Sequence, residues 1–320
     1  MKHIRTSLAN IAWRSALVGT MLAITGCITV ANSNVADTDH RSIAVITNNS
    51  VADGGKLLVD GRNGRVTVSR DPTLAKLEVT AEFHCGGATQ AESNERVKRT
   101  RLIAERSSDG GIHVHADFPA LQSGATHSPS DSANLDIRAA RLDGIEITTN
   151  NGRIKVEGFA GQLKARTSNG VIRINGHSGP VLLQTSNGAI DARNIGTPAE
   201  LETSNDTVEA SLASGQDGPV SVRTSNGGVR LELPVSWSGH VEAETSNGRV
   251  NLEGGGRSKN IAIDKSHGTM DIDGAGKSKA SILSSNGNVR VTALAATPAA
   301  TATPAATATP PATATPPATK

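Results

Sequence analysis

From Gly144 to Val291 apolar and polar residues alternate in short runs, and the runs themselves recur. With Asn151, Asn169, Asn187, Asn205, Asn226, Asn247, His267 and Asn286 as markers, successive units are 18, 18, 18, 21, 21, 20 and 19 residues apart. The positions six and four before the marker, and three and five after it, are apolar in every unit. Around Asn169 these are Leu163, Ala165, Ile172 and Ile174, and around Asn187 they are Val181, Leu183, Ile190 and Ala192. The positions between them are mostly polar or charged. Alternation with period two marks a strand with one buried face, so each unit reads as strand, Asn-Gly corner, strand, loop.

A single unit cannot bury its apolar face. Units stacked in one direction at the strand spacing of about 4.8 Å place equivalent residues over one another as continuous apolar columns. The expected fold is therefore all-β, a parallel β-solenoid (β-helix) of about eight regular coils of 18–21 residues. Stacked Asn side chains can hydrogen-bond up such a corner, which makes Asn151, Asn169, Asn187, Asn205, Asn226, Asn247 and Asn286 candidates for a structural ladder. Gly after the Asn suits a corner of positive φ. An Asn-Gly pair between strands also suits an antiparallel hairpin, and a meander is the alternative. Corners and inward columns preserved through all eight units favour the solenoid.

Upstream, Leu57, Val59, Asn63, Gly64, Val66 and Val68 fit the same template, so one coil precedes an interruption. Leu77 to Phe83, Ile112 to Phe118 and Leu135 to Ile137 read as further strands, Thr89 to Thr100 as a short lateral helix, and Gln122 to Ser132 as a polar loop. The expected domain spans 42–292, with an irregular region over 42–140 capping the open end and regular coils over 141–292. The Thr-Ser-Asn-Gly units at 167–170, 185–188, 224–227 and 245–248, with the opening at Leu57, resemble the adhesin family catalogued as Domain of Unknown Function 4097. The resemblance covers about Leu57 to Val291 and implies an envelope β-solenoid, with no catalytic residues to carry over. Asp206 in place of Gly and His267 in place of Asn depart from its pattern.

The two ends have a different character. Residues 1–26 have a basic start (Lys2, Arg5, Arg14), an apolar run from Ala16 to Ile24 and a small-residue exit, which is a secretory signal. That run is roughly half the length of about 20 residues needed to span a bilayer. Ile24-Thr25-Gly26-Cys27 resembles the bacterial lipobox, which implies cleavage before Cys27 and acylation of its thiol and new amine, with 27–41 as a lipidated linker. Several buried acyl chains make such a tether durable. Ile28, rather than Asp, after that Cys directs a Gram-negative lipoprotein to the outer membrane. From 293 to 320 the chain is almost entirely Ala, Thr and Pro, too poor in large apolar groups to build a core, and reads as a disordered, extended tail.

Composition narrows the chemistry. Of 32 Lys plus Arg, removal of Lys2, Arg5 and Arg14 leaves 29 against 30 Asp plus Glu, so nothing favours nucleic acid. Beyond the signal the aromatics are Phe83, Phe118, Phe159 and Trp237, few for stacking sugars or bases. With Cys27 lipidated, Cys85 has no partner for an internal disulfide. Four residues past the markers the outward column reads Lys155, Arg173, Asp191, Glu209, Arg230, Asn251, Asp271, Arg290. Asp191 and Glu209 on adjacent coils are the candidate acid and nucleophile of a polysaccharide-acting β-helix hydrolase or lyase, but Arg173 and Arg230 flank them, and an exposed charge ladder explains the column without catalysis. Glu200, Glu202, Glu242 and Glu244, interleaved with Arg223 and Ser221, form a second charged face. His84, Cys85, His113 and His115 contain metal-ligand types without a zinc spacing, and Asp271 with Asp273 lacks a wider ligand set. No Gly-x-Ser-x-Gly elbow occurs, and no catalytic residue, metal or cofactor is expected. The main expectation is a non-catalytic lipoprotein, bound to the membrane through Cys27, whose solenoid offers an adhesin-like or scaffolding surface to an envelope polymer or protein. The polysaccharide-acting enzyme stands as the alternative.

Overall fold

The computed structural model describes residues 40–46 and 55–295, apart from 108–109, 123, 125–127 and 275. The signal, Cys27, nearly all of the linker and the tail from 296 lie outside the described residues. Two sheets face each other, one of 12 strands and one of 11. Each coil gives its first strand to the former and its second strand to the latter. For the Asn169 coil these are Gln162–Thr167 and Ile172–His177. Coils pair in parallel and in register, so Leu163 lies against Val181 in one sheet and Ile172 against Ile190 in the other. The expected columns are buried between the sheets, with Leu163, Ala165, Ile172, Leu183 and Ala192 fully enclosed.

The corner has a physical logic that periodicity alone did not give. At six of the eight corners the residue two before the Asn is a Thr that also points inward, and Thr149, Thr167, Thr185, Thr203, Thr224 and Thr245 are all buried, as is Ser284 in the same place before Asn286. Each hydroxyl donates to a backbone carbonyl of the adjacent coil: Thr203 Oγ1 to Gly188 O at 2.9 Å, Thr245 Oγ1 to Gly287 O at 2.8 Å. A buried hydroxyl without an acceptor would be costly, and here the column is satisfied by the coil beside it. The corner glycines serve a purpose other than the one expected. Only Gly64 among them has positive φ. The rest are required by close approach, since a Cβ on Gly170 would collide with the carbonyl oxygen of Gly152, and one on Gly188 with that of Gly170.

The coil of Asn63 stacks directly on that of Asn151, with Leu57 opposite Ile145 and Val66 opposite Ile154. The interruption between them leaves the stack as a cap. On one sheet Ser132–Ala139 runs parallel to Val66–Arg70 and antiparallel to Glu78–His84, which in turn pairs with His40–Ile46. On the other, Ile112–Asp117 pairs with Lys56–Asp60 and with Arg101–Arg106. Helix Gln90–Arg99 connects the two sheets and is N-capped by Thr89, whose hydroxyl accepts from Glu92 N–H.

Two expectations at the far end need correction. The coils are not stacked in chain order, because the Asn286 coil is inserted between those of Asn226 and Asn247. Val220 pairs with Ala280, and Ala280 pairs with Val241. The His267 unit is not a coil. Its strands, Ser258–Ile263 and His267–Ile272, form an antiparallel hairpin against Gly239–Thr245. Met270 and Ile272 are buried there, but Ile261 and Ile263 on the edge strand are 47% and 45% exposed. Eight coils are stacked nonetheless, with Asn63 supplying the corner that His267 does not.

Candidate binding faces

The corner is a single run of side-chain amides. Nδ2 of Asn151 donates to Oδ1 of Asn63 at 2.7 Å, and the same bond is repeated from Asn169 to Asn151, Asn187 to Asn169, Asn205 to Asn187, Asn226 to Asn205, Asn286 to Asn226 and Asn247 to Asn286 at 2.7–2.8 Å. At the cap, Asn63 Nδ2 donates to Asp131 O at 2.9 Å. The Asp206 corner stays in this ladder. Each interior amide spends a donor and an acceptor on its neighbours, which suits a spine better than a ligand contact.

The outward positions form two exposed faces. On the 12-stranded sheet Glu146 accepts from Lys164 at 2.6 Å and lies 3.2 Å from Lys56, and these cations hold its carboxyl below the usual range. Arg166 donates to Gln184, and Gln184 to Glu202. Glu242 pairs with Lys279 at 2.8 Å, which lowers its carboxyl too. Among the described residues no ion-pair partner is recorded for Glu200, Arg223 or Glu244. The face is thus a polar lattice with a few unpaired charges along it.

On the other sheet Asp191 and Glu209 stand opposite each other on adjacent coils. Arg193 Nε binds Asp191 Oδ1 at 2.8 Å and Arg230 Nη1 binds Glu209 Oε1 at 2.8 Å. The two acids are 31% and 47% exposed, above a depression of about 240 Å³ lined by Arg193, Ser211, Arg230 and Glu232. A glycosidase site is instead an enclosed cleft with mutually facing, substrate-directed carboxyls. Both acids here are already engaged by arginine on an open sheet.

The His/Cys set is divided by the fold. His84 ends the strand Glu78–His84 in the 11-stranded sheet, and Cys85 is buried beside Thr100, Sγ to Oγ1 3.1 Å. His113 and His115 lie on the other sheet, on strand Ile112–Asp117. Asp271 and Asp273 are separately occupied, the first by His240 at 2.7 Å and Asn260 at 3.0 Å, the second by Arg257. Among the described residues no group of three or more His, Cys, Asp or Glu could hold a metal ion.

A family model described as Toastrack DUF4097 matches residues 101–292. Among solved structures, a candidate cell adhesion protein from Clostridium sporogenes ATCC 15579 is 12% identical with a TM-score of 0.31, covering 79% of this chain and 99% of its own. A candidate adhesin from Bacteroides fragilis NCTC 9343 is 10% identical with a TM-score of 0.37, covering 78% and 96%. No curated protein matches the chain.

Proposed function

The chain belongs to the Toastrack DUF4097 family, and from that premise we propose that it is a non-catalytic lipoprotein, held by acylated Cys27 to the outer membrane of a Gram-negative bacterium, whose solenoid is an adhesin-like binding or scaffolding surface. The observation that carries this reading is the outward lattice: long rows of charged and amide side chains at the strand spacing of about 4.8 Å, tied to one another across coils as in Arg166–Gln184–Glu202. Such rows suit many weak, regularly spaced contacts with an extended polymer or a repetitive protein, where multiplicity supplies the affinity. Eight coils give a rod of roughly 40 Å, stiff enough to keep the rows in register.

Two measurements test it. Full-length protein is expected to co-sediment with isolated envelopes and to release no reducing sugar from their polysaccharide. Asp191→Asn/Glu209→Gln should bind equally well. Sugar release by the parent that disappears in the double variant would establish the hydrolase instead. In cells, Cys27→Ser should move the protein out of the carbonate-washed membrane pellet, and retention there would overturn the tether.

A further inference from the structure

The exposed apolar groups of this protein are gathered at one end. Among the described residues the large hydrophobic side chains left exposed are Val235, Ile261, Ile263, Leu283 and Leu294, and all belong to the last three coils or the hairpin, at the opposite end of the stack from the cap. Two of them lie on Ser258–Ile263, which ends the 12-stranded sheet and pairs on one side only, with His267–Ile272. Proteins commonly blunt such edges with charge or brevity. At the other edge of the same sheet Arg101–Arg106 carries Arg101, Glu105 and Arg106, and the neighbouring edge of the facing sheet, Val250–Glu253, has four residues. The hairpin strand instead runs Asn260-Ile261-Ala262-Ile263 without a charge.

The chemistry of this edge matches itself. Asp264 N–H donates to His267 O at 2.9 Å. By antiparallel alternation the N–H and C=O groups of Ala262 then face His267–Ile272, and those of Ile261 and Ile263 face the open edge. Ile263 stands opposite Gly268, which lies against Val250 and Leu252, so the isoleucines are on the inner side and prolong the apolar core past its last coil. Asn260, at φ 50°, is bulged, so that Lys259 opposes Asp271 and Ala262 opposes Thr269. The bulge brings Lys259, Ala262 and Asp264 together on the outer side. We propose that Ser258–Ile263 pairs antiparallel with the same strand of a second copy, about a two-fold axis through Ala262. Ile261 of each copy then faces Ile263 of the other. Lys259 faces Asp264 of the other, with Asn260 and Ile261 counted as the one position they occupy. Asp264 accepts from Ser266 and His267 N–H at 2.9 and 2.8 Å, which hold its carboxyl below the ordinary range and keep it charged. Matching at both the apolar and the charged positions favours a copy of this chain over an unrelated partner.

The end of a two-sheet stack, about 20 by 30 Å with its side chains, offers roughly 600 Å² per copy, or about 1,200 Å² in all, the low end for a specific interface. Association is therefore weak, in the micromolar range. His40–Ile46, the described strand nearest Cys27 in sequence, edges the 11-stranded sheet at the cap. On the lipoprotein reading proposed above, on which this consequence alone rests, tether and pairing strand are at opposite ends, and paired copies bridge two membranes.

Sedimentation of the chain carrying Cys27→Ser tests the pairing apart from any acyl anchor. A concentration-dependent monomer–dimer equilibrium is expected. Ile261→Asp/Ile263→Asp, checked for folding by circular dichroism, should abolish it. Lys259→Glu and Asp264→Lys should each weaken dimerisation by about tenfold or more. An equimolar mixture of the two should restore it, because only the mixed pair opposes unlike charges at both contacts. Ala262→Cys, on the axis with Cα atoms about 4.5 Å apart, should give a disulfide-linked dimer on mild oxidation, and Lys259→Cys should not. A parent that stays monomeric at millimolar concentration, or a dimer undiminished by Ile261→Asp/Ile263→Asp, would overturn the pairing. Dimerisation that appears only on deletion of 296–320 would make that segment of the chain the occupant instead. Vesicles carrying the acylated parent should clump, and those carrying Ile261→Asp/Ile263→Asp should not. A solution dimer without clumping would overturn the bridge and leave the pairing, whereas failure to co-sediment with envelopes bears on the adhesin reading alone.

Discussion

Deleting residues 278–295 is expected to abolish cooperative unfolding instead of shortening the rod by one coil. The segment contains Ser278–Ser284 and Val289–Ala293, the two strands of the Asn286 coil. That coil is interior. Val229–Leu233 and Val250–Glu253 each pair with Val289–Ala293 and not with each other. Ile282, Val289 and Val291 are buried, and at about 1.5–3 kcal/mol each their removal costs roughly 5–9 kcal/mol. A typical domain has a net stability of only about 5–15 kcal/mol. The loss also breaks the amide ladder at Asn226 and strands the Asn247 coil with only the antiparallel hairpin for a partner. The competing outcome is closure, with the Asn247 coil moving one strand spacing onto the Asn226 coil. The connection resists that shift, because Trp237 is buried and its Nε1 donates to Gly218 O at 3.0 Å, anchoring the linker one coil further back. Thermal and urea melts followed by circular dichroism decide between these outcomes. A sharp transition within a few degrees of the parent would mean that the gap closes and that the Asn286 coil is an addition to the fold.

The contrast between what the sequence discloses here and what it hides follows from the symmetry of a solenoid. Inward columns depend on period and parity alone, so Leu163, Leu183 and Leu201 could be placed in the core from their spacing. Coil order is invisible to the same signal, because exchanging the Asn247 and Asn286 coils leaves every column apolar. Order is set by loops and by what the hairpin covers. The exclusion of the His267 unit did leave a trace: Lys265 stands in the column otherwise filled by Thr or Ser, and an ammonium cannot enter that interior unpaired. The Thr column itself was legible as an alternation two residues before Asn but was hidden by the polarity of the hydroxyl. The candidate site was less legible than the fold. Asp191 and Glu209 could be set side by side from register, but their arginine partners depend on side-chain conformation. The separation of His84 from His113, and the approach of Asp60 to His113, depend on how the cap turns back on the first coil, which periodicity does not encode.

Asp131→Ala is expected to be the most damaging single substitution in the cap. Asp131 and Arg96 form a bidentate pair, Oδ1 to Nη1 and Oδ2 to Nη2 both at 2.7 Å, with side chains 0% and 4% exposed. Asp131 also accepts from Ser128 and Gly86 N–H, while Arg96 donates to the carbonyls of Pro119 and Gly86. Helix Gln90–Arg99, the segment after Pro119 and the end of the amide ladder at Asn63 therefore meet at one buried ion pair. Removing the carboxylate leaves a guanidinium buried without its counter-charge, at a cost of about 3–5 kcal/mol. Replacing both partners together, as Arg96→Met/Asp131→Leu, should cost less than the sum of the single changes. Acidity gives a second reading. Burial alone would raise the Asp131 pKa, but the Arg96 guanidinium and the two N–H donors outweigh it and hold the pKa below the ordinary value. A depressed carboxylate contributes its stability above the unfolded pKa of about 4 and loses it as pH falls through the folded value. His177, buried and hydrogen-bonded to Gly161 O at 2.8 Å, has its pKa lowered by burial. Below about pH 6.5 the unfolded chain binds a proton there that the folded chain refuses, so stability falls with acidity in that range as well. The parent should therefore lose stability in two steps, and Asp131→Asn should retain the step near neutrality while flattening the one below about pH 4. Urea denaturation between pH 2.5 and 8 separates the two, and an unchanged acid limb in Asp131→Asn would show that the pair does not hold the cap to the first coil.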